Sequence, residues 1–189
     1  MRRLALLLCL PLFALPAVAL ADKGFDKAVI KVTATFHPAE AKPGQTVTLK
    51  LTVELTDGYH TYPLVQTDKK AAAMVNKVTF PAAGAVVFVG DALDPANAEI
   101  KAEPLLGIEA MKVCHGIVVY ERTAVVSPTA KAGKVTVTVP KFVVSVCDKD
   151  NCFPPKTLMP EAELKILDGP AVAVDAKYAA EVSAATEKK

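Results

Sequence analysis

Val47, Leu49, Leu51, Val53 and Leu55 alternate without a break with Thr48, Lys50, Thr52 and Glu54. A period of two puts one set of side chains on each face of a strand, so this run demands a sheet with its apolar face covered by a second layer. The pattern recurs along the chain. Ala28, Ile30, Val32, Ala34 and Phe36 share one parity, as do Val118, Tyr120, Ala124 and Val126 within Gly116 to Val126. Val78 to Phe80 and Val86 to Val89 read as short strands, and Leu158, Ala162, Leu164 and Ile166 mark a last one within Thr157 to Leu167. His37-Pro38, Lys42-Pro43-Gly44-Gln45, Asp57-Gly58 and Pro128 to Gly133 supply turns between them. Residues 64–75 read as a loop with a turn of helix, and Asp91 to Pro104 as a surface excursion. Val135, Val137 and Val139 lead to Pro140, after which the apolar parity passes to Phe142, Val144 and Val146. That shift predicts a bulge or bend. Seven or eight short strands with almost no helical pattern predict an all-β fold, an antiparallel immunoglobulin-like β-sandwich.

The ends are of a different character. Arg2 and Arg3 precede an apolar stretch, Leu4 to Leu15, and Ala19-Leu20-Ala21 is a small-x-small site. Residues 1–21 are therefore expected to be a signal peptide, cleaved near Ala21, that sends a chain beginning at Asp22 to the periplasm or outside the cell. No later segment offers about 18 uninterrupted apolar residues, so no integral membrane segment is expected in the mature chain. Of 22 Lys and Arg, two leave with the leader, and the remainder balances the 20 Asp and Glu. With no basic block, nucleic acid is not an expected partner. The sandwich is expected over 22–168 and a tail over 169–189, where Tyr178, Val182 and Ala185 share a helical face, giving a short C-terminal helix or a frayed end.

Export leaves three cysteines, Cys114, Cys147 and Cys152, in a setting where disulfides persist. Cys147 and Cys152 flank Asp148, Lys149, Asp150 and Asn151, all turn formers, and Phe153-Pro154-Pro155 follows. The stretch reads as a hairpin with a cysteine at each shoulder. Opposed residues of an antiparallel pair have Cα atoms about 4.5–5.5 Å apart, and a disulfide needs roughly 4.4–6.8 Å. The pair can close without moving the backbone and open without losing the hairpin. A bridge over so short a loop adds only about 2 kcal/mol of loop-entropy stabilisation, so reversible thiol–disulfide exchange explains it better than stapling. Asp148 and Asp150 would raise a nearby thiol's pKa, whereas Lys149 and Lys156 would lower it.

The motif Cys147-x4-Cys152-Phe153-Pro154-Pro155-Lys156-Thr157 resembles the signature of the N-terminal periplasmic domain of the thiol:disulfide interchange protein DsbD. Asp57-Gly58-Tyr59-His60-Thr61-Tyr62 resembles the segment beside that domain's active cysteines, and the likeness runs from about Ala28 to Ile166. It implies an immunoglobulin-like sandwich and protein-disulfide reductase chemistry without a cofactor, passing electrons between a thioredoxin-like donor and oxidised periplasmic proteins. Cys152 would attack and Cys147 would resolve. Tyr62 and His60 would line the site, with Tyr59, Phe153, Pro154, Cys114 and His115 around it. A shielding cap loop would lie near Glu109 to Gly116. The family protein continues into a transmembrane and a thioredoxin-like domain, whereas this chain stops, so its donor is expected to be a separate protein. The cap also departs from the family, with Met111-Lys112-Val113-Cys114-His115-Gly116 where acidic and aromatic residues are usual.

Other readings of the same residues are a binding module with a structural hairpin disulfide, and a copper or zinc site built from Cys114, Cys147, Cys152 and His60. Cys114 reads either as a half-buried core residue beside a surface histidine or as a cap thiol that exchanges with the pair. A spare thiol there would permit a covalent dimer.

Overall fold

A computed structural model of the chain describes residues 23–104 and 107–187; the expected leader lies outside the described residues. In chain order the elements are α1 (Lys23–Ala28), β1 (Val29–His37), β2 (Glu40–Ala41), β3 (Thr46–Leu55), β4 (His60–Thr61), a 3-10 turn (Lys69–Ala71), β5 (Lys77–Thr79), β6 (Val86–Leu93) and β7 (Glu99–Glu103). They continue with β8 (Ile108–His115), β9 (Ile117–Val126), β10 (Gly133–Thr138), β11 (Lys141–Val144), β12 (Val146–Cys147), β13 (Lys156–Leu158), β14 (Glu161–Ile166) and α2 (Ala179–Thr186).

One sheet runs β1-β3-β9-β6. The others run β10-β14-β2, β13-β11-β5 and β12-β4-β8-β7, and every pairing is antiparallel except that of β14 with β2. β3 is central to the first sheet, paired to β1 on one side and β9 on the other. Its odd-numbered residues from Val47 to Leu55 are all buried. They share one core with Phe36 of β1, Val118 and Tyr120 of β9, Phe142 and Val144 of β11, and Leu164 and Ile166 of β14. This is an all-β sandwich. Phe142 and Leu49 are buried essentially completely; Phe142→Ala should cost about 3–5 kcal/mol and Leu49→Ala about 2–5 kcal/mol, read as a lower urea midpoint.

Several boundaries differ from those the pattern predicts. Ala28 ends a helix rather than opening β1, because Phe25 and Ala28, three apart, bury one helical face. The β1–β3 register then shifts between Val29 and Lys31, which throws Ile30 outward with 61% of its surface exposed. At Pro140 the chain does more than bend: β10 pairs with β14, whereas β11 pairs with β13 and β5, so the strand changes sheets. The last strand is broken into β13 and β14 around Pro160, whose carbonyl accepts from Val139 N–H at 2.9 Å. Within the expected excursion 91–104, residues 99–103 form β7 instead.

The tail is packed, not frayed. Tyr178, Val182 and Ala185 lie against Val87 and Val89 of β6 and Val125 of β9 on the outer face of the first sheet. Glu181 accepts a hydrogen bond from Gly90 N–H at 3.0 Å, at a break in the β6–β9 register where Gly90 has φ +62°. Glycine alone tolerates that conformation without strain. No helix among the described residues is long and apolar enough to cross a membrane.

Candidate functional site

β4 lies between β12 and β8, and the registers place residues of three strands in rows. Cys147, His60 and His115 form one row; Val146, Thr61 and Cys114 form the next. Adjacent rows of a sheet face opposite ways. Val146 and Cys114 therefore enter the main core, while Cys147 turns to the other side with Tyr62, Met111, Val113 and Ile108.

Cys147 and Cys152 are joined by a disulfide, with Cα atoms 4.0 Å apart, and they oppose each other as an antiparallel bridge. The turn between them is held locally. Asp148 N–H donates to Asn151 O at 2.9 Å, and the Asp148 carboxylate accepts from Asp150 N–H at 2.8 Å and Asn151 N–H at 2.7 Å. Those two backbone donors hold the Asp148 carboxyl below the usual range. Phe153 N–H returns to Val146 O at 3.0 Å and closes the hairpin.

The two cysteines differ in environment. Cys147 is 2% exposed, whereas Cys152 is on the surface. Tyr62 Oη lies 3.0 Å from Cys147 Sγ and 3.7 Å from Cys152 Sγ. A disulfide sulfur carries no proton, so Tyr62 is the donor. Burial, and then the Glu103 carboxylate, push the Tyr62 pKa up and keep that proton in place at neutral pH. The bridge opens on a cleft of about 260 Å³, with His60, Tyr62, Met74 and Met111 on its walls and Lys101, Glu103 and Lys149 at its charged edge. Burial, and then the charges of His115 and Lys101, lower the His60 pKa to about 4, so the imidazole is neutral at pH 7.

Behind the cleft is a polar lock. The Asn76 amide donates to Thr61 Oγ1 at 2.8 Å and to Tyr120 Oη at 2.7 Å, and its oxygen accepts from Ser145 N–H at 2.8 Å. The Thr61 hydroxyl donates to Ser145 O at 2.7 Å, and the Tyr120 hydroxyl donates to Tyr62 O at 2.6 Å. Every donor and acceptor in this set has one assignment only. It ties β4, the β11–β12 junction and β9 together, fixing the backbone that carries Tyr62 and Cys147. Burial, above all else, raises the Tyr120 pKa and keeps its phenol protonated.

The cleft thus gathers Cys147, Cys152, Tyr62 and His60. The other expected lining residues sit elsewhere. Tyr59 packs at a tilt of 43° against Phe153 with ring centroids 6.1 Å apart, and Gly24 lies against the Phe153 ring, where a side chain would strike it. Pro154 is exposed beyond them. His115 is exposed, with its ring 5.7 Å from that of His60 and Nδ1 3.2 Å from Tyr59 O. Lys156 is turned to α1, 2.6 Å from the Asp26 carboxylate and 5.0 Å from the Phe25 ring centroid. The segment expected to be a cap loop, Glu109 to Gly116, is almost wholly strand β8, paired with β7. Its inward Met111 and the β7 residues Lys101 and Glu103 reach the cleft, so a hairpin stands where a loop was predicted. Asn76, Met74, Met111, Lys101 and Glu103 carry no motif in the sequence.

Cys114 is fully buried in the main core, and burial, followed by the charge of Asp94, pushes its thiol up to about 11. It faces away from Cys147 and His60, so the four-ligand metal set does not assemble, and neither exchange with the pair nor a covalent dimer is open to it in the folded chain. Among the described residues no group of three or more His, Cys, Asp and Glu is placed to hold a metal ion. A thiol reagent added to the native oxidised protein prepared from Asp22 onward, without Cys9, should therefore label no cysteine within minutes, and should label one thiol in denaturant. Rapid native labelling would contradict this placement.

No family model matches the chain, and no curated protein matches it.

Proposed function

We propose that this chain is an exported thiol–disulfide exchange protein of the kind exemplified by the N-terminal domain of DsbD, passing electrons from a thioredoxin-like donor to oxidised partner proteins. The observation that carries the reading is the asymmetry of the bridge: an exposed Cys152 joined to a buried Cys147 that a tyrosine hydroxyl serves. A donor thiolate attacks Cys152 Sγ along the open side. The Cys147–Cys152 bond breaks, and Cys147 departs as a thiolate that accepts the Tyr62 hydrogen bond and is then protonated from water. The donor's second thiol resolves the mixed disulfide and leaves a dithiol here. In the forward direction the Cys152 thiolate attacks a partner's disulfide, and Cys147 then attacks Cys152 to release the partner reduced. Two electrons and two protons move in each half.

Titration of the pair against glutathione tests the reading. Exchange proteins have potentials of about −120 to −270 mV, and structural bridges lie below about −300 mV; a value in the lower range would leave only a stapled hairpin. The tyrosine has its own test. Tyr62→Phe removes a hydrogen bond to a charged sulfur, worth about 1.5–3 kcal/mol, so reduction by a dithiol should slow on the order of tenfold or more. An unchanged rate would remove Tyr62 from the mechanism.

A further inference from the structure

We propose that the reduced cleft is a copper(I) site in which the thiolates of Cys147 and Cys152 and the thioether of Met111 bind one ion. The donor set is soft throughout. Cys147 and Cys152 both line a single cleft with Tyr62 Oη near each sulfur, and Met111, 4% exposed, lines it too and is in the same buried cluster as Cys147. A second thioether, Met74, borders that cleft and packs on that cluster. Thiolate and thioether ligands select copper(I) over hard cations. The cleft of about 260 Å³ is larger than one ion needs, and its lining residues Glu103, Asp148 and Asp150 set three acidic side chains against the basic Lys101 and Lys149, so the field does not repel a cation. The site differs from the set expected from sequence, because Cys114 lies on the opposite face of the sheet and Met111 takes the place assigned to it.

The site exists only after two electrons enter. A dithiol donor, or a phosphine in the test tube, reduces the bridge to two thiols and is itself oxidised. Copper(I) then displaces the two thiol protons, and its own oxidation state does not change. A partner's disulfide oxidises the pair back to the bridge and is itself reduced, with two protons, to two thiols; this removes two ligands at once and releases the ion, still as copper(I). The proposal rests on the pair being reducible, as the exchange reading requires, and it gives that reading a cargo.

The test uses the full mature protein under anaerobic conditions. Phosphine treatment followed by a thiol count in denaturant first establishes whether the bridge has opened; a count of one instead of three means it has not, and overturns both readings. Copper(I) is then titrated in competition with a chromophoric copper(I) chelator. One equivalent should bind to the reduced protein and none to the oxidised protein. Cys152→Ala should abolish binding, and Met111→Leu, a volume-conserving change, should weaken it on the order of tenfold. X-ray absorption of the loaded wild-type protein should show three sulfur neighbours. Three free thiols with copper lost to the chelator would overturn the metal site and leave the exchange reading intact. So would equal binding by the oxidised protein, unchanged affinity in Met111→Leu, or a shell with fewer than three sulfurs.

Discussion

Replacing Cys147 with alanine is expected to turn a transient complex into a trapped one. Cys152 would still attack a thioredoxin-like disulfide, but nothing would remain to resolve the product, so a reducible conjugate should accumulate. Cys152→Ala should give no conjugate at all, because the surviving Cys147 is 2% exposed behind the hairpin. The two single variants of one small loop thus differ in outcome, not only in degree. Relative to wild type both should lose turnover by on the order of a thousandfold or more, since each removes a sulfur the cycle requires. Non-reducing electrophoresis after incubation with a panel of thioredoxin-like proteins reads the result. Conjugates formed equally by both variants would contradict the assignment of Cys152 as the attacking sulfur, and none with any member of the panel would count heavily against exchange itself.

The second large effect is on stability. Asn76→Ala should destabilise the fold by about 2–4 kcal/mol, because it strips partners from the Ser145 N–H, Thr61 Oγ1 and Tyr120 Oη in one step. Asn76 is 1% exposed, so water cannot easily replace the lost amide. Urea unfolding, with the midpoint and slope fitted together, measures the loss. A change under about 0.5 kcal/mol, the range of ordinary surface substitutions, would mean that the lock contributes little. The same variant should loosen Tyr62, whose carbonyl Tyr120 holds, so the exchange rate should fall along with the midpoint.

How much of this was legible in the chain depended on how local each cause is. β3 could be read at once, because one face of every residue pair from Val47 to Leu55 is buried and the other is not. The hairpin was equally plain, since the Asp148 turn is made by its own neighbours. β7 could not be read: four of its five residues are exposed, so burial imposes no alternation on Glu99 to Glu103. Cys114 was ambiguous for the opposite reason. Val113 and Cys114 are consecutive and both buried, because β8 is covered on one face by the core and on the other by the cluster around Met111. Asn76 left no trace, since its side-chain partners lie 15, 44 and 69 residues away. The predicted bend at Pro140 became a change of sheet because the proline cannot donate to a ladder and the parity on either side serves different partners.

Thr61 separates His60 from Tyr62, and the trio alternates between the hollow beside the disulfide and the interior. Inserting or deleting one amino acid between Gly58 and His60 would turn the whole trio over: imidazole and phenol would be driven against the core and its Asn76 lock, and the threonine would be left facing the sulfurs. The spacing of this segment is therefore less negotiable than its chemistry. Tyr62→Phe removes one hydrogen bond to the sulfurs, whereas a different count displaces all three side chains at once.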